Sequence, residues 1–148
     1  MIHCLTSAIR HRSVALVVAA LLAVCLAACS ATKDVDNANA AVAQFRELMA
    51  AKKFDQIYSE AGDDLKKSTT EQSLTRLLEA VDRKLGAFKS AQSNGWNVNY
   101  SGIVTTVTMK FKTQFERGSG VETFVYRITG GKALLAGYHI DSADMLVN

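Results

Sequence analysis

The residues able to do acid–base or ligand chemistry are few and scattered. His139 is the only histidine beyond residue 11, and Asp141 lies two positions on, so in a strand both point to one face. Such a pair could act as a general base with its orienting carboxylate, or as two metal ligands. Zinc wants three or four ligands, and with neither a second histidine nor a cysteine nearby, an ordinary surface pair at a strand end is the better reading. Acids are scarcer still at inward positions. Glu122 is the nearest candidate, because it shares parity with Phe124 and Tyr126. The cysteines are Cys4, Cys25 and Cys29, all at the front, so disulfides, CxxC redox chemistry and thiolate metal sites are excluded from the rest of the chain. Gly118-Ser119-Gly120 reads as a hairpin loop and not as a phosphate cradle, since no helix follows it. No Walker, GxSxG or HExxH pattern occurs, and no cofactor is implied.

The elements that must position these residues follow from periodicity. Ser30 to about Asp36 is polar without a period and reads as a short tether. Ala38, Ala41, Val42, Phe45, Leu48 and Met49 recur at steps of three and four, which predicts an amphipathic helix over about 36 to 52. Phe54, Ile57 and Tyr58 continue as a short helical turn, interrupted at Gly62. Ser68 and Glu71 form the pattern of a capping box before a second long helix, whose stripe is Leu74, Leu77, Leu78, Val81 and Leu85 and whose stop is Gly86. The period then falls to two. Val107, Met109, Phe111 and Phe115 alternate with polar residues, Phe124, Tyr126 and Ile128 do the same, and Gly130-Gly131 turns the chain into a last strand over 132 to 141. Asn94-Gly95 reads as a bulge within one long strand. Trp96, Phe88 and the strand aromatics are expected in the core. Helices first and a curved antiparallel sheet of about four strands afterwards is an α+β order.

Composition divides the chain at residue 28. Twenty-one of its 72 apolar residues lie in the first 28, while all eleven aromatics and all fourteen acids lie beyond. The formal charge of +3 falls to +1 for residues 29 to 148, because Arg10 and Arg12 leave with the front segment. No basic stripe remains, so nucleic acid is excluded as a partner. Arg10, His11 and Arg12 precede the uncharged apolar run Val14 to Leu26, the layout of an export signal. From Val14 to Ala28 there are 15 residues, against about 20 for a stable membrane-crossing helix.

The run ends in Leu26-Ala27-Ala28-Cys29, and residues 10 to 29 resemble a bacterial lipoprotein signal with its lipobox. The resemblance implies cleavage between Ala28 and Cys29, a diacylglyceryl group on the Cys29 sulfur and acylation of the new N-terminus. Cys25 fits less well, since Val24 stands where Gly, Ala or Ser is wanted. Residues 1–28 would then be removed and 29–37 would form the lipidated N-terminus and tether. The chain would sit in the cell envelope, and Ser30, in place of a retention Asp, favours an outer membrane, facing the periplasm, if the cell has one.

A second resemblance covers roughly 38 to 143. Leu85-Gly86-Ala87-Phe88-Lys89-Ser90, Val121-Glu122-Thr123-Phe124 and Gly137-Tyr138-His139-Ile140 resemble small exported bacterial proteins of the NTF2-like superfamily, in families of unknown function. Ala133 stands where that pattern usually shows a tryptophan. The resemblance implies a cystatin-like cone over residues 38–148, which in some relatives encloses an apolar cavity and in isomerases combines a buried carboxylate with hydroxyl donors. Here Tyr58, Tyr100, Tyr126 and Tyr138 would supply hydroxyls, and Glu122, Tyr126, Tyr138, His139 and Asp141 are the candidate cavity residues. Without a clear catalytic acid, the expected function is non-catalytic binding of an envelope protein or small apolar ligand, with a homodimer also compatible. A cofactor-free isomerase or hydrolase and a structural envelope protein are the alternatives.

Overall fold

The structure, a computed structural model, describes residues 31–147. The leader, the lipobox residues Leu26, Ala27 and Ala28, and Cys29 itself lie outside the described residues. From Asp34 onward the chain forms one compact unit. Among the described residues no helix is long and apolar enough to cross a membrane.

The order is α+β: helices α1 (31–50), α2 (Phe54–Glu60), α3 (Asp63–Ser68) and α4 (Glu71–Leu85), strands β1 (Phe88–Ser101), β2 (Val104–Phe115), β3 (Ser119–Thr129) and β4 (Lys132–Asp141), and a last turn α5 (Asp144–Val147). The strands form an antiparallel meander in the order β1-β2-β3-β4. Helix α1 starts earlier than the apolar spacing predicts, since the described part of the expected tether is already helical. The spacing sees only where the buried stripe begins, while helical hydrogen bonding extends through the polar TKDVD.

Helix α4 begins later than the Ser68 signal implies. Thr70 is its N-cap, its hydroxyl accepting from the Ser73 amide at 3.2 Å, while Ser68 closes α3 by donating to the Leu65 carbonyl. The Ser68–Glu71 spacing fits the capping-box pattern, but Ser68 is taken up as the last residue of α3 and the cap falls on Thr70. At the other end Gly86 has the expected positive φ, 80°, with an extended ψ of −164°. A Cβ there would meet the Glu116 Cβ at 2.9 Å, so both φ and close packing call for glycine.

One main core lies between the helices and one sheet face. Ala38, Val42 and Phe45 of α1, Leu65 of α3, and Leu74 and Leu78 of α4 pack on Val107, Met109, Phe124 and Tyr126. A smaller cluster joins Val81, Leu85, Phe115 and Ile140. Phe45 meets Phe124 edge to face at 5.1 Å between ring centroids, which adds geometric preference to area burial. The Gly130-Gly131 pair makes the two-residue turn, both with positive φ. The loop placed at Gly118-Ser119-Gly120 lies earlier, over 116–118, because β2 ends at Phe115 and β3 already starts at Ser119.

Strand β1 is continuous, with a register shift between Ser93 and Trp96 that marks the bulge at Asn94-Gly95. Its aromatics, however, are not core. Trp96 is 57% and Phe88 42% exposed. Trp96 lies opposite Met109 and so faces the helix side of the sheet, but β1 is an edge strand with a neighbour on one side only. Alternation reveals the face a residue points to and not whether anything covers that face.

Candidate functional site

Glu122 on β3 sits between Phe111 of β2 and Ile140 of β4 and is 3% exposed. Its parity places it on the core face, as the alternation suggests; its depth of burial is new. Three donors converge on its carboxylate. Thr113 Oγ1 donates to Oε2 at 2.6 Å, the Tyr138 hydroxyl donates to Oε1 at 3.0 Å, and Arg46 Nη2 reaches Oε2 at 3.3 Å.

Arg46 comes from α1, four residues after Val42 and three before Met49, so it lies within the helix's apolar stripe. Its guanidinium carbon is 4.3 Å from the Phe88 ring centroid and 4.9 Å from that of Phe111. The cation is thus held against two aromatic rings and aimed at a carboxylate, a geometry suited to a planar guanidinium. Arg46 Nε is buried and has no hydrogen-bond partner. Helix α1 positions Arg46, while the meander brings Thr113, Glu122 and Tyr138 together as diagonal neighbours on one face of three adjacent strands.

Beside this cluster opens a pocket of about 440 Å³. Phe45, Arg46 and Met49 of α1, Phe88 at the start of β1, Phe115 at the end of β2, and Glu122 give it apolar walls with one ion pair at the base. That combination is the usual make-up of a small-molecule site. Lys52, Asp82, Glu116 and Arg117 form a charged rim of both signs.

The tyrosines divide by burial. Tyr138 holds its proton well above the usual phenol range, first because it is buried and then because the Glu122 carboxylate opposes a second negative charge and accepts the phenol's hydrogen bond, with Arg46 partly offsetting this. Tyr126, 2% exposed, is raised likewise by burial; Arg46 pulls it down and Glu122 pushes it up. The Tyr126 hydroxyl is buried without a hydrogen-bond partner. It borders a separate small cavity of about 60 Å³ beside Phe45, Ile57 and Leu135. Tyr58 donates to the Thr69 carbonyl at 3.4 Å, and Tyr100 lies in the open, 54% exposed.

His139 and Asp141 are exposed, opposite Thr123 and Val121, on the sheet face away from Glu122. They share a face as the strand period requires, and neither joins the pocket. Among the described residues no three His, Cys, Asp or Glu side chains gather as metal ligands. Of the candidates, then, the structure unites Glu122 with Tyr138, leaves Tyr126 behind them in the core, and separates His139 and Asp141.

Sequence reasoning missed Arg46 and Thr113. Both carried a signal: Arg46 interrupts an apolar helical stripe, and Thr113 has the parity of Phe111 and Phe115. Compared with protein-family models and with curated proteins, the chain matches none, so its functional reading rests on this geometry and its sequence alone.

Proposed function

We propose that this is a lipid-anchored cell-envelope protein whose domain, an NTF2-like cone, binds a small, mainly apolar ligand in the pocket between α1 and the end of β2. The observation that carries the binding reading is the pocket itself: aromatic and methionine walls around the Arg46–Glu122 ion pair. Its chemistry suits a small, mainly apolar ligand. The anchor reading is supported by Leu26-Ala27-Ala28-Cys29. Phe45 to Met49 lie toward the end of α1, about 16 to 22 Å along the helix from Asp34 at 1.5 Å per residue.

The test uses anilinonaphthalene sulfonate, which has apolar rings and an acceptor group. Its fluorescence should rise on titration with the folded protein. The change Ala50→Trp, at an exposed position lining the pocket, should cut that binding at least tenfold without loss of thermal stability. Undiminished binding would reject the pocket as the site. A second reading, a cofactor-free enzyme, is favoured by one observation only, the burial of Glu122 at the pocket's base. Against it, Glu122 is already engaged by three protein donors, and a general base must face the proton it takes.

A further inference from the structure

The end of the domain opposite the pocket carries a separate feature. From Ser90 to Met109, twenty residues between Lys89 and Lys110, the β1–β2 hairpin contains no charged side chain. At its tip Ile103 is fully exposed, with Tyr100 half-exposed just behind it. A single exposed isoleucine is ordinary. An uncharged hairpin with an isoleucine at its apex and an amphipathic phenol one step back is less so, because it can leave water without stripping any charge of its hydration.

Position supplies the second argument. The Tyr100 hydroxyl lies 3.5 Å from Asp34 Oδ2, which sets the hairpin's outer end beside the early part of α1. Asn37 Nδ2 donates to the Gly131 carbonyl at 3.0 Å, so the β3–β4 turn, with exposed Lys132, shares that end. Cys29 precedes Asp34 by five residues, a span of at most about 18 Å.

We propose that the tip of the β1–β2 hairpin, with Ile103 at its apex, docks into the bilayer that receives the acyl chains on Cys29. This rests on the anchor reading above. One isoleucine cannot hold a protein on a membrane by itself. Tethering changes that balance, since a lipid a few residues away makes docking intramolecular and raises the effective concentration of bilayer at the tip. Asp34 and Asp36 lie at the same end and limit entry to the hairpin apex. Lys132 is placed for anionic headgroups. Docking would fix the domain's orientation and turn the pocket away from the lipid.

The test uses full-length lipidated protein in vesicles of phosphatidylethanolamine and phosphatidylglycerol with brominated acyl chains. The chain has one tryptophan, Trp96, so Trp96→Phe with Ile103→Trp moves the sole indole to the apex at two exposed sites. Its emission should shift to the blue and be quenched by bromine several-fold more than that of Trp96 in the unaltered protein, which lies seven residues up the strand. A lipidated N-terminus by mass spectrometry with no quenching overturns the docking alone. A blue shift that follows protein density in the vesicles, without quenching, also overturns it and shows that the tip meets a second copy. An N-terminus lacking lipid overturns the anchor and the docking together.

Discussion

At the scale of single residues, chemistry and position make separate demands. Cys29 is defined by what precedes it, so Cys29→Ser should leave an unprocessed precursor and abolish palmitate labelling, whereas Cys25→Ser should leave both intact. Glu122 is defined by what surrounds it. Glu122→Gln leaves Arg46 against two rings with no counter-charge, and removing one partner of a buried pair costs about 3 kcal/mol or more. Urea denaturation of Glu122→Gln should show that loss, and Arg46→Met together with Glu122→Gln should recover part of it. His139→Ala and Asp141→Asn, on exposed sites, should change stability by less than about 1 kcal/mol. The tyrosines give a pH signature. Tyr126 and Tyr138 both hold their protons more tightly folded than unfolded. Their contribution is therefore present below the unfolded phenol value of about 10 and is lost as pH rises beyond it, at about 1.4 kcal/mol per pH unit for each. Tyr126→Phe should remove its share of that alkaline slope, read from melts between pH 9 and 11. At neutral pH it should be neutral or stabilising, because the hydroxyl it deletes has no partner.

At the scale of elements, the sheet is asymmetric. Strands β2 and β3 bury one face under the helices, so Phe124→Ala, at a fully buried position, should cost about 3 to 5 kcal/mol in chemical denaturation. Strand β1 buries little. Trp96 should therefore emit like a largely hydrated indole in the native domain and shift only slightly to the red on unfolding, so circular dichroism is the better monitor. Helix α1 reaches β1 at two places, with Arg46 over Phe88 near one end and Asp34 beside Tyr100 near the other. Those contacts tie both ends of α1 to one strand. The pocket sits at the end of α1 and the hairpin tip near its start.

At the scale of the whole molecule, residues 34 to 148 have their own core and should fold without leader or lipid, unfolding in one cooperative calorimetric transition. The smaller cluster of Val81, Leu85, Phe115 and Ile140 adjoins the pocket and belongs to the same unit, so it should melt with the rest. Helix α1 over 31–50 is about 30 Å long and links the pocket residues Phe45 to Met49 with Asp34 beside Tyr100.

The local patterns of this chain sufficed for most of its elements, though not for α3 or α5. Helix and strand periods follow from which side chains recur on one face, and they gave α4, the meander, the Gly130-Gly131 turn and the Asn94-Gly95 bulge directly. The inward direction of Glu122 was legible in the same way, from parity with Phe124. Tertiary structure decided the rest, because burial depends on what lies above a face. It left Trp96 and Phe88 uncovered at the sheet edge while closing over Glu122. It also brought Arg46, 76 residues away in the chain, to Glu122, a meeting that no local period encodes. Helix starts were the intermediate case: the Ser68–Glu71 spacing pointed to Ser68, yet Ser68 bonds back to the Leu65 carbonyl and Thr70 caps α4.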